Sequence, residues 1–466
     1  MLFNSFEFLL LFLPVVLGVA LLLRGNVLLF WIALASCVFY AFAGHSWFLI
    51  PMGISTTLDF WVGGRIGTSS NPRVRRAYLI LSLTANLGLL AYFKYSGLIA
   101  RTIESALNVV SPHAGNAAWV DLFRVVLPAG ISFYTFQTIS YVIDIYRGES
   151  PPERNFLKYL SFVAFFPHLV AGPLTRHHQL IPQLSRIAER GISPRWRAAL
   201  ILFAVGLAKK VLIADRVGNA IDPVIATIGT QGFVASWLVL LGYSVQIYFD
   251  FSGYSDMAIG LGRLFAIELP QNFNSPYQAT SPSDFWTRWH ITLSRWLRDY
   301  LYIPLGGNRK GDMRTKVNLM ITMVLGGLWH GANWTFAMWG LFHGLLLWGY
   351  HATSETWDVW PEWSRRVATY LLMTLAWVFF RAPTLSLAGR WFGGLAGMRG
   401  LGALEAVSPH MALLILAAVV GSMTMRNVYQ RDMSTLSLTQ AGFVGAVAGV
   451  ALVMMNYSSK FLYFQF

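Results

Sequence analysis

Charged side chains are scarce in this chain. They make up 12% of its 466 residues, against roughly 25% in ordinary globular proteins. That is too little to cover a water-facing surface, and the 55% share of hydrophobic residues excludes a disordered polypeptide. Cysteine is almost missing too. Cys37 stands alone, inside an apolar run, which excludes an intramolecular disulfide, a thiolate metal site and a disulfide-stapled secreted fold. There is no GxxxxGK[ST] phosphate loop, no HExxH zinc motif and no GxSxG nucleophile elbow. No metal-ligand set and no bound cofactor are expected. No ladder of acids runs through the apolar stretches, which argues against a proton-driven carrier. Neither an internal repeat nor a low-complexity linker divides the chain, so residues 1–466 read as one integral-membrane domain.

What the chain does have is long apolar runs. A hydrocarbon core about 30 Å thick needs roughly 20 apolar residues per helical crossing. The first run, Phe6 to Leu23, has no basic residue before it and Arg24 directly after it. That is the reverse of a secretory leader, and it reads as a retained span with its N-terminus outside. Further candidate spans are Val27–Ala43, Trp47–Val62, Ala77–Tyr95, Val125–Tyr146, Ala198–Ala214, Phe233–Gly262, Val317–Tyr350, Val367–Phe380, Met411–Met425 and Ala441–Met455. The fold class is an all-α polytopic membrane protein.

Net charge is +14, from 35 Lys and Arg against 21 Asp and Glu. In a soluble protein that balance would raise nucleic acid as a partner. Here the bases gather in short loops, as the positive-inside rule requires of cytoplasmic segments, so no nucleic acid is expected. Arg65 to Arg76, Arg176 to Arg197 and Arg288 to Lys316 are assigned to the cytoplasm. Ser96 to Asp121, Gly218 to Gly232 and Ser354 to Glu362 are assigned outside. The 18 Trp suit belts at the lipid interface. Phe156–Pro173 (FLKYLSFVAFFPHLVAGP) upsets the alternation, with basic residues on both sides and two prolines. A re-entrant segment restores it. Broken backbone at membrane depth is tolerated only against protein or a watery cavity.

The chemistry is sought among polar groups in apolar surroundings. Gly326 to Trp348 (GGLWHGANWTFAMWGLFHGLLLW) holds His330 and His343 without one charged residue. Burying an ionisable group costs several kcal/mol unless it is used or paired. Glycines around His330 leave room for a ligand, and Asn333 falls about 60° from it on a helix. On one straight helix His343 would lie about 20 Å from His330 and about 140° round, so it is assigned to packing. His290 lies in Ser283 to Gly307 (SPSDFWTRWHITLSRWLRDYLYIPLGG). With Ser283 as N-cap, that segment reads as one amphipathic surface helix. Arg288, Arg295, Arg298 and Asp299 share one side; Trp286, Trp289 and His290 share the other. Asp250 and Asp256 interrupt Tyr248 to Asp256 and suggest a broken helix end. The roles open to them are tuning a histidine, binding a cation or pairing with Arg263 or Arg288, and structural pairing is the expected one.

Neutral imidazole is a competent base near pH 7. A basic cytoplasmic rim attracts an anionic donor such as coenzyme A or a carrier-protein phosphopantetheine. Together they point to acyl transfer. His330 takes the proton of an acceptor hydroxyl, while His290, Asn333 or backbone N–H groups stabilise the oxyanion. Asn333, Trp286 and Trp289 are candidate substrate-binding residues.

The run from Tyr248 to Tyr277 (YFDFSGYSDMAIGLGRLFAIELPQNFNSPY), then FWTRWHITLSRWLRDYLYIPLGG and GLWHGANWTFAMWGLFHG, resembles the alginate O-acetyltransferase branch of the membrane-bound O-acyltransferases. The opening MLFNSFEFLLLFLP and closing FLYFQF are similar too. Residues 248–350 carry the active-site motifs. The resemblance implies that the WHG histidine, His330, is catalytic and that the RWH histidine, His290, is the other active-site position. It implies a bacterial inner-membrane enzyme, a ring of about 11 transmembrane helices with re-entrant and amphipathic helices around a central tunnel. It further implies acetyl-CoA as cytoplasmic donor, an exported polysaccharide (alginate, cellulose or another exopolysaccharide) as acceptor and a periplasmic SGNH-type acetyltransferase as partner. Two other readings stand beside it. One is D-alanyl transfer of the teichoic-acid (DltB) type from a carrier protein. The other is a polysaccharide or lipid transporter, which should show paired halves.

Overall fold

The computed structural model describes residues 1–110, 123, 125–402, 407–430, 437–457 and 462. Most of the closing FLYFQF and the distal part of the Ser96–Asp121 loop lie outside them. Among the described residues there are helices and no strands. Four helices are long and apolar enough to cross a bilayer: Pro72–Asn108, Phe233–Leu264, Pro409–Gln430 and Leu438–Asn456. Shorter apolar helices cover Glu7–Leu22 and Gly25–Ala41. The chain divides into two compact units, Met1–Ala199 with Ala258–Pro270, and Leu200–Met257 with Gln271–Phe466.

In the first unit, α1 (Gly25–Ala41), α2 (Leu49–Thr68), α3 (Pro72–Leu90) and α4 (Ile131–Arg147) supply the long elements. Ser96 does not open a loop, because the helix that begins at Pro72 continues through it. A polar network joins α2, α3 and α4 at depth. Asp59 accepts from Ser82 Oγ at 2.6 Å and Asn86 Nδ2 at 2.8 Å, and Ser55 Oγ lies 3.2 Å from Thr138 Oγ1. Low dielectric makes such satisfied bonds strong and unsatisfied ones costly. The Phe156–Pro173 segment is broken as its prolines require, into α5 (Phe156–Ala164) and α6 (Phe166–Leu169). Both are largely buried in protein. The Phe166 N–H freed at the break donates to Ser36 Oγ at 3.1 Å. An amphipathic α7 (His177–Arg190) follows.

In the second unit, α8 begins at Phe233 and runs unbroken to Leu264, its last turns belonging to the first unit. The predicted break at Asp250 is absent because both acids are paired. Lys210 reaches Asp215 and Asp250, each at 2.7 Å. Lys209 reaches Asp256 at 2.6 Å, and Tyr429 Oη donates to the same carboxylate at 2.9 Å. Arg263 pairs with Glu268 and Arg288 with Asp284 instead. Two short helices, α9 (Pro282–Arg288) and α10 (Ile291–Leu297), precede a helical hairpin.

That hairpin corrects the single span expected over Val317–Tyr350. α11 (Asp312–His330) ends at His330, and α12 (Trp334–Trp357) starts anew with Asn333 as its N-cap. Glycines let the two helices touch. A Cβ on Gly327 would strike the Phe336 carbonyl, and one on Gly340 the Met323 carbonyl. Small residues at such crossings are what close packing of membrane helices requires. α13 (Glu362–Arg381) lies beside α12.

Candidate active site

His290 and His330 come together inside the second unit. The segment carrying His290 is two helices, where one was expected. Its N-cap is Ser281, whose Oγ accepts the Asp284 N–H at 3.0 Å; Ser283 lies within the first turn. α9 stops at Arg288, and His290 takes a left-handed backbone with φ 42° and ψ 53°. Non-glycine residues adopt that conformation only where the surroundings over-determine it.

Asn272 supplies the surroundings. Its backbone carbonyl accepts the Ile291 N–H at 2.9 Å. Its side-chain Oδ1 accepts the Thr292 N–H at 3.3 Å and the Thr292 hydroxyl at 2.9 Å. The same Oδ1 lies 3.1 Å from His290 Nδ1. A backbone N–H can only donate, so this oxygen is an acceptor and Nδ1 must carry the proton. In the neutral ring the lone pair is then on Nε2. A neutral His290 held this way is a proton acceptor at Nε2, which removes the oxyanion-donor role considered for it.

His330 ends α11 and is 5% exposed; His290 is fully buried. The His330 ring stands against Trp329 and Trp339, each at 5.1 Å between centroids, and Phe380 at 5.4 Å. The two imidazole centroids are 6.3 Å apart. Their nearest nitrogens are thus at least about 4 Å apart, too far for a direct hydrogen bond.

The other site residues divide. Trp286 lines a cavity of about 490 Å³ together with Ile291, Arg295, Arg298, Lys316 and Trp348, among others. The Trp286 indole N–H is buried without a hydrogen-bond partner. The cavity reaches Ile291, the residue after His290. Among its charged lining residues, Arg295, Arg298 and Lys316 outnumber Asp312. Trp289 sits in the aromatic core instead, stacked on Phe285 at 5.6 Å and 5.0 Å from Trp377. The Asn333 amide is committed to the helix break. Oδ1 caps Thr335 N–H at 3.2 Å and Nδ2 donates to the Pro383 carbonyl at 2.8 Å, so the helical projection that paired it with His330 does not apply. His343 is not 20 Å down a straight helix. Trp339 touches both histidines, His330 at 5.1 Å and His343 at 4.6 Å.

Asn272 was missed, because its partner lies 18 residues on and no spacing motif links them. The signal available was its place in the quoted ELPQNFNSPY run.

The family model for membrane-bound O-acyltransferases matches residues 153–380, which include Asn272, His290, His330 and the whole cavity lining. The probable alginate O-acetylase AlgI of Pseudomonas putida is 37% identical over 497 residues, covering all of both chains. This chain belongs to the membrane-bound O-acyltransferase family. The acyltransferase is also similar to the probable alginate O-acetylase AlgI of Pseudomonas aeruginosa. They are 42% identical over 399 residues, 84% of this chain and 74% of the relative. The peptidoglycan O-acetyltransferase of Helicobacter pylori is 35% identical over 493 residues, 94% and 91% of the two. With its apolar helices, the acyltransferase is a multi-pass membrane enzyme.

Proposed function

We propose that this acyltransferase takes acetyl from acetyl-CoA on the cytoplasmic side of a bacterial inner membrane and passes it across for O-acetylation of an exported polysaccharide. A ring of about eleven spans around a tunnel gives donor and acceptor separate entrances. Alginate, peptidoglycan and other exopolysaccharides are the acceptor class, in line with the names of the relatives. An SGNH-type acetyltransferase outside the membrane completes delivery to the polymer.

The observation that carries the reading is the 6.3 Å pairing of His290 and His330 next to a basic-lined cavity. The cavity holds the pantetheine arm, with Arg295, Arg298 and Lys316 toward the donor phosphates. His330 takes the acceptor hydroxyl proton as its oxygen attacks the thioester carbonyl. The carbon–sulfur bond breaks, and the proton returns to the thiolate by way of His290, the histidine nearer the cavity. Trp286 shapes the donor side, Trp289 packs behind it in the aromatic core, and Asn333 supports the hairpin turn at His330.

Membranes containing the enzyme, its extracytoplasmic partner and polymer are incubated with acetyl-labelled acetyl-CoA. Label is expected in the polymer. If the label stays on coenzyme A while an acylated carrier protein supplies the polymer instead, the donor assignment is wrong; delivery of D-alanine would place the enzyme with the teichoic-acid branch. Movement of polymer without acyl transfer would mark a transporter.

A further inference from the structure

A cluster of ligating side chains in the first unit has no part in the acyl-transfer chemistry. Asp144 lies in the last turn of α4; His177 and His178 are the first two residues of α7. Their donor atoms all lie within 4.8 Å of one another. Asp144 Oδ2 is 3.6 Å from His177 Nδ1 and 3.8 Å from His178 Nδ1, beyond hydrogen-bonding distance in both cases.

His177 makes the cluster unusual. It is 3% exposed, and neither ring nitrogen has a hydrogen-bond partner. An imidazole buried with both polar atoms unmet costs free energy that native structures avoid. Tyr141 stands edge-on to it at 5.2 Å and fixes the plane of the ring.

The donor set is two imidazoles and one carboxylate, which suits zinc and its first-row neighbours. Donors held about 2.0–2.1 Å from a tetrahedral zinc lie about 3.4 Å from one another. The two measured separations exceed that by a few tenths of an ångström. The side chain of His178 is 48% exposed, so its ring can swing inward to close the remaining gap. The same exposure leaves a coordination position open to water.

We propose that Asp144, His177 and His178 bind one first-row divalent cation of the zinc class, clasping the end of α4 to the start of α7. The sequence hides the site because His177 lies 33 positions after Asp144 and no ligand-spacing motif spans them.

The test uses the full-length protein, purified in detergent with a histidine-free tag and stripped by a chelator. It is titrated with Co²⁺ alone and followed by visible d–d absorption. One saturable Co²⁺ per chain is expected, displaced by Zn²⁺. His177→Ala should abolish the bands. His178→Gln, at a half-exposed position that folding tolerates, should weaken binding at least tenfold. His410→Gln, at an exposed histidine elsewhere, should leave binding unchanged. Several weak sites in place of one, or wild-type binding by the folded His178→Gln protein, would overturn the assignment. The readout involves no acyl transfer, so it stands or falls apart from the proposed function.

Discussion

Asn272 Oδ1 sits 3.1 Å from His290 Nδ1 and makes that nitrogen the protonated one. The consequence reaches the chemistry, because it sets which nitrogen of His290 can exchange a proton with substrate. It also explains how a histidine at φ 42° is held: the asparagine grips both the ring and the backbone just after it.

Replacing Asn272 with Leu removes the acceptor while keeping bulk. The tautomer is then free, and turnover should fall by about one to two orders of magnitude, at or below the low end of the roughly 10²–10⁴-fold that general acid–base groups contribute. KM for the donor should change little. Asn272→Asp retains an acceptor oxygen and should recover part of the rate. Equal losses of kcat in both variants would assign Asn272 to folding alone.

The hairpin that presents His330 depends on close backbone contact. Gly340→Ala puts a methyl against the Met323 carbonyl and forces α11 and α12 apart. Overpacking of this kind typically costs about 1–3 kcal/mol. A lower melting temperature in detergent and reduced activity are expected. Gly349→Ala, on the same helix with open space around it, serves as control and should match wild type. Indistinguishable melting of the two variants would contradict the packing described.

Lys210 is 2% exposed at its side chain and lies between Asp215 and Asp250. Lys210→Met leaves both carboxylates buried without this cation, which by the usual cost of breaking such pairs is about 3–5 kcal/mol. The protein should accumulate poorly in membranes. Adding Asp250→Asn should restore part of the level, since one uncompensated charge is then gone. A single variant that accumulates and melts like wild type would remove Lys210 from the stability account.

Entry of the donor through the basic-lined cavity makes a kinetic prediction. Lys316→Ala and Arg295→Ala should each raise KM for acetyl-CoA severalfold with kcat nearly kept, and raised salt should shrink the difference. Loss of kcat with KM unchanged would place these side chains in structure.

Much of the molecule was legible in sequence, and the exceptions share one cause. Apolar period located most helices, and the polar exceptions pointed to His290 and His330, which the fold brings within 6.3 Å of each other. The period could not find the breaks. α11 ends at His330 because Asn333 caps a new helix and glycines allow that helix to fold back, both tertiary matters. α9 ends near His290 because Asn272 binds there from 18 residues away. The partners of Asp250 and Asp256 were misjudged for the same reason: Lys209 and Lys210 lie about forty residues earlier in the chain, and only the fold brings them close. Asn333 lost its place beside His330 once the helix connecting them proved to be a turn.

The central claim is that His330 and His290 act as a pair on the acyl-transfer step. Its most direct measurement is single-turnover release of coenzyme A from acetyl-CoA by purified enzyme with its acceptor. It compares wild type with His330→Ala, His290→Ala and the double variant, all at matched folded protein. Each single variant should slow release by about 10²–10⁴-fold, and the double should be little worse than either, as groups acting as a unit behave. Release near the wild-type rate in His330→Ala would contradict the account.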